Sequence, residues 1–190
     1  MSETFYSTRE DATVFQIAWS GLDTWPAHWQ RLLEILRALD GERESLGELR
    51  GTLEVDGAEW SIDGDLAARA GAAPELLGGM IACYPLALVD DGELTAIDWD
   101  SDDLFALGQF PLVATAEPQR FRITGGPQHA GSEPPLFLRL GFEISQWAQQ
   151  ITLDVSSRFD LWRPTRFDGT PSPTGARNEA WLRTVFDRIR

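Results

Sequence analysis

Lysine is absent from this chain, and all 16 cationic side chains are arginine. We read that as genome composition and give it no functional weight. Cysteine is almost absent too: Cys83 stands alone, which excludes an internal disulfide framework. The only histidines are His28 and His129, so four N/S ligands at structural-zinc spacing cannot be assembled. No apolar run approaches the roughly 18 residues of a membrane span. The opening Met1-Ser2-Glu3-Thr4-Phe5 lacks the basic and then apolar regions of a secretory signal. From these absences we expect a cytoplasmic protein with no membrane association. Cations are also outnumbered. Thirty acidic residues leave a formal charge of −14. Such a surface repels nucleic-acid phosphates and speaks against DNA or RNA binding. It speeds association with a basic partner, and it also keeps a chain in solution with no partner at all.

What is present is core-forming material. The 190 residues are 43% hydrophobic and include eight tryptophans, enough for one domain, 1–190, with a substantial interior. The clearest unit is Pro135 to Trp162. Leu136 to Ile144 is the most apolar run of the C-terminal half, and Gln150 to Ser156 alternates apolar and polar residues, so the two form an antiparallel hairpin across Ser145–Gln149. Val14–Trp19 has the composition of a first strand. Thr24-Trp25-Pro26 opens a helix of about 26–39, with Thr24 as N-cap and Trp29, Leu32, Leu33, Leu36 and Leu39 in one stripe. His28 lies beside that stripe as a surface or boundary residue. Asp40-Gly41 should close the helix, glycine taking the left-handed conformation. A charged connector follows, then a hairpin of Gly51–Val55 and Ala58–Ile62 around Asp56-Gly57.

The middle is harder to read. Asp65–Ala70 and Glu75–Tyr84 could each be short helices, although Gly78-Gly79 weakens the second. Pro85–Val89, Leu94–Trp99, Pro111–Thr115 and Arg120–Thr124 have strand character, Asp102–Leu107 could be one helical turn, and Gly125–Pro135 is a loop. Three prolines keep Trp162–Pro173 irregular. Asn178 to Ile189 closes the chain as an amphipathic helix of about 178–189. The expected class is α+β: an antiparallel sheet of about six or more strands with an N-terminal and a C-terminal helix.

Candidate sites are few. The acidic segment holds Asp90, Asp91, Glu93, Asp98, Asp100, Asp102 and Asp103, and its Asp98–Asp103 cluster invites comparison with calcium loops. Counted from Asp98, an EF-hand needs glycine where Asp103 stands and glutamate where Gln109 stands, so it fails. Cys83 lies in an apolar setting, which suits an inert thiol, and no partner for it is apparent in the sequence. There is no nucleophile elbow and no phosphate loop. We therefore assign no catalytic, metal or cofactor residue. The acidic segment, together with Trp25 and Trp147, which fall in turns, forms the candidate partner-binding set.

The tail carries one likeness. Ile151-Thr152-Leu153-Asp154, then Phe159-Asp160-Leu161-Trp162-Arg163-Pro164, a proline-rich loop and Asn178 in a closing helix resemble the tail of bacterial immunity-type proteins encoded beside secreted polymorphic toxins. The likeness covers residues 151–190 only. It implies a small α+β protein that neutralises a cognate toxin by direct binding, without catalysis or cofactor. A hydrolase-type enzyme with an unrecognised carboxylate site, and a structural or virion component, are the alternative readings.

Overall fold

The computed structural model describes the backbone of residues 2–47, 49–55, 58–63, 76–83, 93–95, 98–99, 104–111, 122–124, 138–145 and 147–190; side chains are described for 3–8, 10–24, 26–47, 138–145 and 147–190. The elements are β1 (Ser2–Ser20), α1 (Trp25–Gly41), α2 (Arg43–Leu46), β2 (Leu49–Val55), β3 (Ala58–Asp63), β4 (Leu76–Cys83), β5 (Glu93–Thr95), β6 (Asp98–Trp99), β7 (Leu104–Pro111), β8 (Arg122–Thr124), β9 (Leu138–Ser145), β10 (Gln150–Phe159) and α3 (Pro173–Asp187). The class is α+β with an antiparallel sheet, ordered β3-β2-β4-β9-β10-β1-β7-β6; β5 and β8 form a separate parallel pair. Among the described residues, no helix is long and apolar enough to cross a membrane.

The expected C-terminal hairpin forms, with Gln150 opposite Ser145 and Val155 opposite Leu140. Its turn holds Gln149 at φ +50°, a left-handed conformation that side chains other than asparagine and aspartate seldom adopt. Val14–Trp19 proves to be only the end of a much longer strand. β1 spans 19 residues, because its first half pairs with β7 and its second half with β10. A bulge between Thr13 and Phe15 resets the alternation. Past it, Phe15, Ile17 and Trp19 lie in register with Val155, Leu153 and Ile151, and these with Leu140, Phe142 and Ile144. That face meets Leu32, Ile35, Leu36 and Leu39 of α1 and Leu182, Val185 and Phe186 of α3 in one buried cluster. The opposite face is polar. Thr13 and Gln16 donate to the Asp154 carboxylate at 2.9 and 3.1 Å, and Arg139 pairs with Asp11 at 2.6 Å.

Several expectations need correction. Gly41 does not end α1 in a left-handed turn. It is the last helical residue, Glu42 is the C-cap, and the chain runs on into α2; the positive φ of +78° falls at Gly47 instead. Thr24 does cap, accepting from the Ala27 amide at 3.4 Å. His28 is buried, not superficial, with Nδ1 held 2.9 Å from the Thr24 carbonyl. The glycine-rich 76–83 segment is strand β4, paired on both sides, where a helix was one expectation; paired glycines disfavour helix more than a doubly supported ladder. Leu104–Pro111 is likewise a strand, β7, since pairing with β1 outweighs local helical preference. The Asp56-Gly57 hairpin forms, with Val55 opposite Ala58. Expectations for Asp65–Ala70, Pro85–Val89, Leu112–Thr115 and Gly125–Pro135 lie outside the described residues.

The last helix starts at Pro173, five residues before Asn178, because Ser172 supplies an N-cap and proline fits the first turn. Ser172 Oγ accepts from the Gly175 amide at 2.9 Å. Gly175 is where the preceding loop crosses closest: a Cβ there would lie 1.8 Å from the Arg163 carbonyl oxygen. Alanine in a helix ordinarily gains about 1 kcal/mol over glycine. Here we expect the reverse, with Gly175→Ala costing about 1–3 kcal/mol or more by overpacking against backbone. A urea midpoint at or above that of the parent chain would show the close approach to be immaterial.

Candidate functional site

The residues proposed for partner binding separate in the structure. Asp90, Asp91, Asp100, Asp102 and Asp103 lie outside the described residues. Glu93 opens β5 in the two-stranded pair, while Asp98 opens β6 at the end of the main sheet. Trp25 is the first residue of α1 and so belongs to a helix where a turn was expected. Trp147 is fully exposed at the β9–β10 turn. Two strands, β1 and β7, stand between that hairpin and β6 in the sheet order.

What the fold brings together instead is a buried polar cluster at the start of β1. Glu3, Asp160, Ser172, Thr174 and Asn178 are all buried. Asp160 follows directly on β10, in a single 3₁₀ turn of Asp160–Trp162. One carboxylate oxygen accepts from the Tyr6 amide at 2.8 Å and the other from the Phe167 amide at 3.2 Å. This side chain therefore ties β1 to the 163–172 loop. Glu3 does the same for α3: it accepts from the Ser172 hydroxyl at 2.5 Å, the Arg166 guanidinium at 3.0 Å and the Thr174 amide at 3.4 Å. A carboxylate from a distant strand thus supplements the helix's own cap, where the helix dipole favours negative charge. Asn178 donates from Nδ2 to the Leu161 carbonyl at 2.9 Å, and Trp162 stacks on Trp181 with ring centres 6.5 Å apart.

The two carboxylates respond oppositely to burial. Desolvation, the largest influence on Asp160, pushes its pKa up to about 7, against the lowering effect of its two amide donors and of Arg166. Desolvation also acts to raise Glu3, but the hydrogen bonds from Ser172, Thr174 and Arg166 and the arginine's charge overcome it and hold Glu3 below its ordinary value. Asp168, on the loop, is lowered by the Thr170 hydroxyl and amide. Burial, with the Asp168 charge beside it, raises the Tyr6 phenol.

Chemically the cluster is closed. Both Asp160 oxygens are filled by backbone donors, and the side chain has no exposed surface. A perturbed carboxylate in an open cleft is a mark of catalysis; one sealed by main-chain amides is a fastening. Among the described residues no three His, Cys, Asp or Glu side chains gather as a metal site. In the sequence Asp160 stood out only as an acid inside the apolar run Phe159–Trp162 and as part of the tail resemblance, neither of which marked it as a fastening. Glu3 gave none, because nothing marked its segment as a strand.

No family model, no curated protein and no solved structure matches this chain. The site is therefore argued from its geometry alone.

The pKa shifts fix the sign of a pH dependence. Asp160 is raised above its ordinary 3.8, so its contribution is fully present below that value and is lost as pH rises through about 7. Glu3 is lowered, so its contribution is present above 4.5 and is lost as pH falls through its folded value. From pH 5 to 7 the Asp160 effect should reduce stability by about 1 kcal/mol per pH unit. Asp160→Asn should be less stable at low pH, since an amide cannot accept both backbone donors, yet free of this slope. Urea midpoints measured across pH 4 to 9 that run parallel for the two proteins would refute the assignment.

Proposed function

We propose that the chain is a non-enzymatic binding protein that neutralises a cognate bacterial toxin by direct contact in the cytoplasm, on an antiparallel scaffold of about six or more strands. The observation that carries this reading is the pairing of a −14 chain with a fully exposed tryptophan, Trp147, on the turn of the β9–β10 hairpin. Large aromatic side chains are rarely left wholly in water, and they are the commonest energetic anchors of interfaces. The hairpin around Trp147 is held by its ladder and by the Leu22 amide, which donates to the Gln149 carbonyl at 3.1 Å. An anchor held this way loses little freedom on binding.

The acidity suits a basic partner. A toxin that cleaves nucleic acid would have such a surface, and the Asp90–Asp103 segment could then stand in for phosphate. The tail resemblance points the same way. Asp160, Trp162 and Asn178, which carry that resemblance, are committed to holding the loop and α3 together, so contact residues belong elsewhere on the surface. The hydrolase alternative would draw on the raised pKa of Asp160, but substrate has no route to it.

The test is co-expression with the product of the neighbouring gene. We expect protection of the host and a complex that survives purification. Trp147→Ala should leave the unfolding midpoint within about 0.5 kcal/mol of the parent and weaken the complex by about 2 kcal/mol or more, roughly thirtyfold in Kd. Loss of neither protection nor affinity in that variant would remove Trp147 from the interface. Absence of any complex would end the toxin reading.

A further inference from the structure

β1 has two edges, and they are not used equally. On one, β10 pairs at Ser7 and, after an irregularity, from Ala12 to Ser20; on the other, β7 pairs only from Ser2 to Thr8. Beyond Thr8, among the described residues, no strand is paired with the outer edge. Alternate residues of an antiparallel strand turn their N–H and C=O groups away from the partner already bound. The stretch Ala12–Ser20 therefore presents a row of backbone donors and acceptors outward. Arg163 reaches one of them, donating to the Thr13 carbonyl at 2.6 Å. From Phe15 to Ser20 the register is regular.

Edges that must stay unpaired are blunted by charge or proline. This one is not. Ala12-Thr13-Val14-Phe15-Gln16-Ile17-Ala18-Trp19-Ser20 contains neither, in a chain that is 24% charged. Alongside it runs a groove lined by Phe15, Gln16, Ile17 and Ala18 from β1 and by Arg183, Phe186, Asp187 and Arg190 from α3 and the chain end. Arg183 is already occupied: it pairs with Glu179 and lies over the Phe15 ring, 4.5 Å from its centre.

We propose that this edge is a strand-addition site, taking an extended segment of a partner protein in which apolar and basic residues alternate. The chemistry of the occupant follows from the two faces it would join. One set of its side chains would lie on the core side of the sheet, beside the half-buried Ile17 at the rim of the groove, beneath which Phe15 and Phe186 are buried. The other set would join the polar face of the sheet, where Asp154 lies on the adjacent strand β10 and the exposed Glu143 on β9, one strand further. A second copy of this chain is disfavoured as occupant, since two chains of −14 repel. The basic character of the segment rests on the partner proposed above; the strand geometry does not.

The probe is a synthetic peptide of about six residues alternating valine and lysine, close to a usual strand length, titrated into the ¹⁵N-labelled full chain. Amide shifts should concentrate in Ala12–Ser20 and Arg183–Arg190. A copy methylated at alternate backbone nitrogens should bind at least about tenfold more weakly, having lost its ladder donors. The double variant Gln16→Lys/Ala18→Lys changes two exposed side chains, so it should keep the parent unfolding midpoint while repelling the peptide. No shifts at millimolar peptide, equal binding of the methylated copy, or shifts confined to Glu93–Asp98 would each overturn the proposal. A concentration-dependent dimer abolished by the double variant would overturn it in favour of a second copy. Peptide binding without toxin protection would sink the toxin reading alone, and protection without peptide binding would sink this one alone.

Discussion

The offset pairing of β1 is the constraint from which the rest of the structure follows. A strand of 19 residues cannot be satisfied by one neighbour of ten, so β10 takes its second half and β7 its first. Backbone groups must find partners wherever water is excluded. At the start of β1, where β10 has run out, the partner is a side chain: Asp160 receives the Tyr6 amide just past the last ladder residue. At the end of β1, where β7 has run out, the outer groups face a groove. The buried fastening and the open edge are two outcomes of one offset.

The fastening explains why polar residues occupy a place that hydrophobic ones could fill. Replacing a satisfied buried ion pair by apolar residues is often neutral for stability, so such pairs are weak arguments for stability as such. Glu3 and Arg166 accomplish something apolar contacts do not. They fix which loop residue meets which strand residue, through hydrogen bonds of defined direction to Ser172, Thr174 and Thr170. The 163–172 loop has little apolar surface of its own. It is held by Asp160, Glu3, the isolated bridge of Thr165 with Pro171, and the Arg166 amide bonded to the Thr170 carbonyl. α3 is thereby placed with Phe186 against Phe15, ring centres 5.6 Å apart.

On the functional side, the arrangement divides the molecule. The helix-covered face, the hairpin and the polar cluster are committed to packing. Among the described residues, the Trp147 turn, the polar sheet face and the β1 edge remain for a partner. All three lie on or beside the same β9-β10-β1 core. Surfaces backed by regular elements position contacts better than loops do.

The amino-acid sequence determined the parts governed by local periodicity. The stripe of α1, the alternation of β10 and the pairing of β2 with β3 are set by nearby residues, and they formed where expected. Tertiary structure decided everything that depends on a distant partner. β1 is long because β7 and β10 meet it on opposite sides; 76–83 is a strand because β2 and β9 flank it; Asp160 has a raised pKa because the fold buries it, with the amides of Tyr6, 154 positions away, and Phe167 donating to its two oxygens. No window along the chain contains those pairings. The stretch of the β1 edge that no strand pairs among the described residues, and the exposed tryptophan, became visible only when the strands were set side by side.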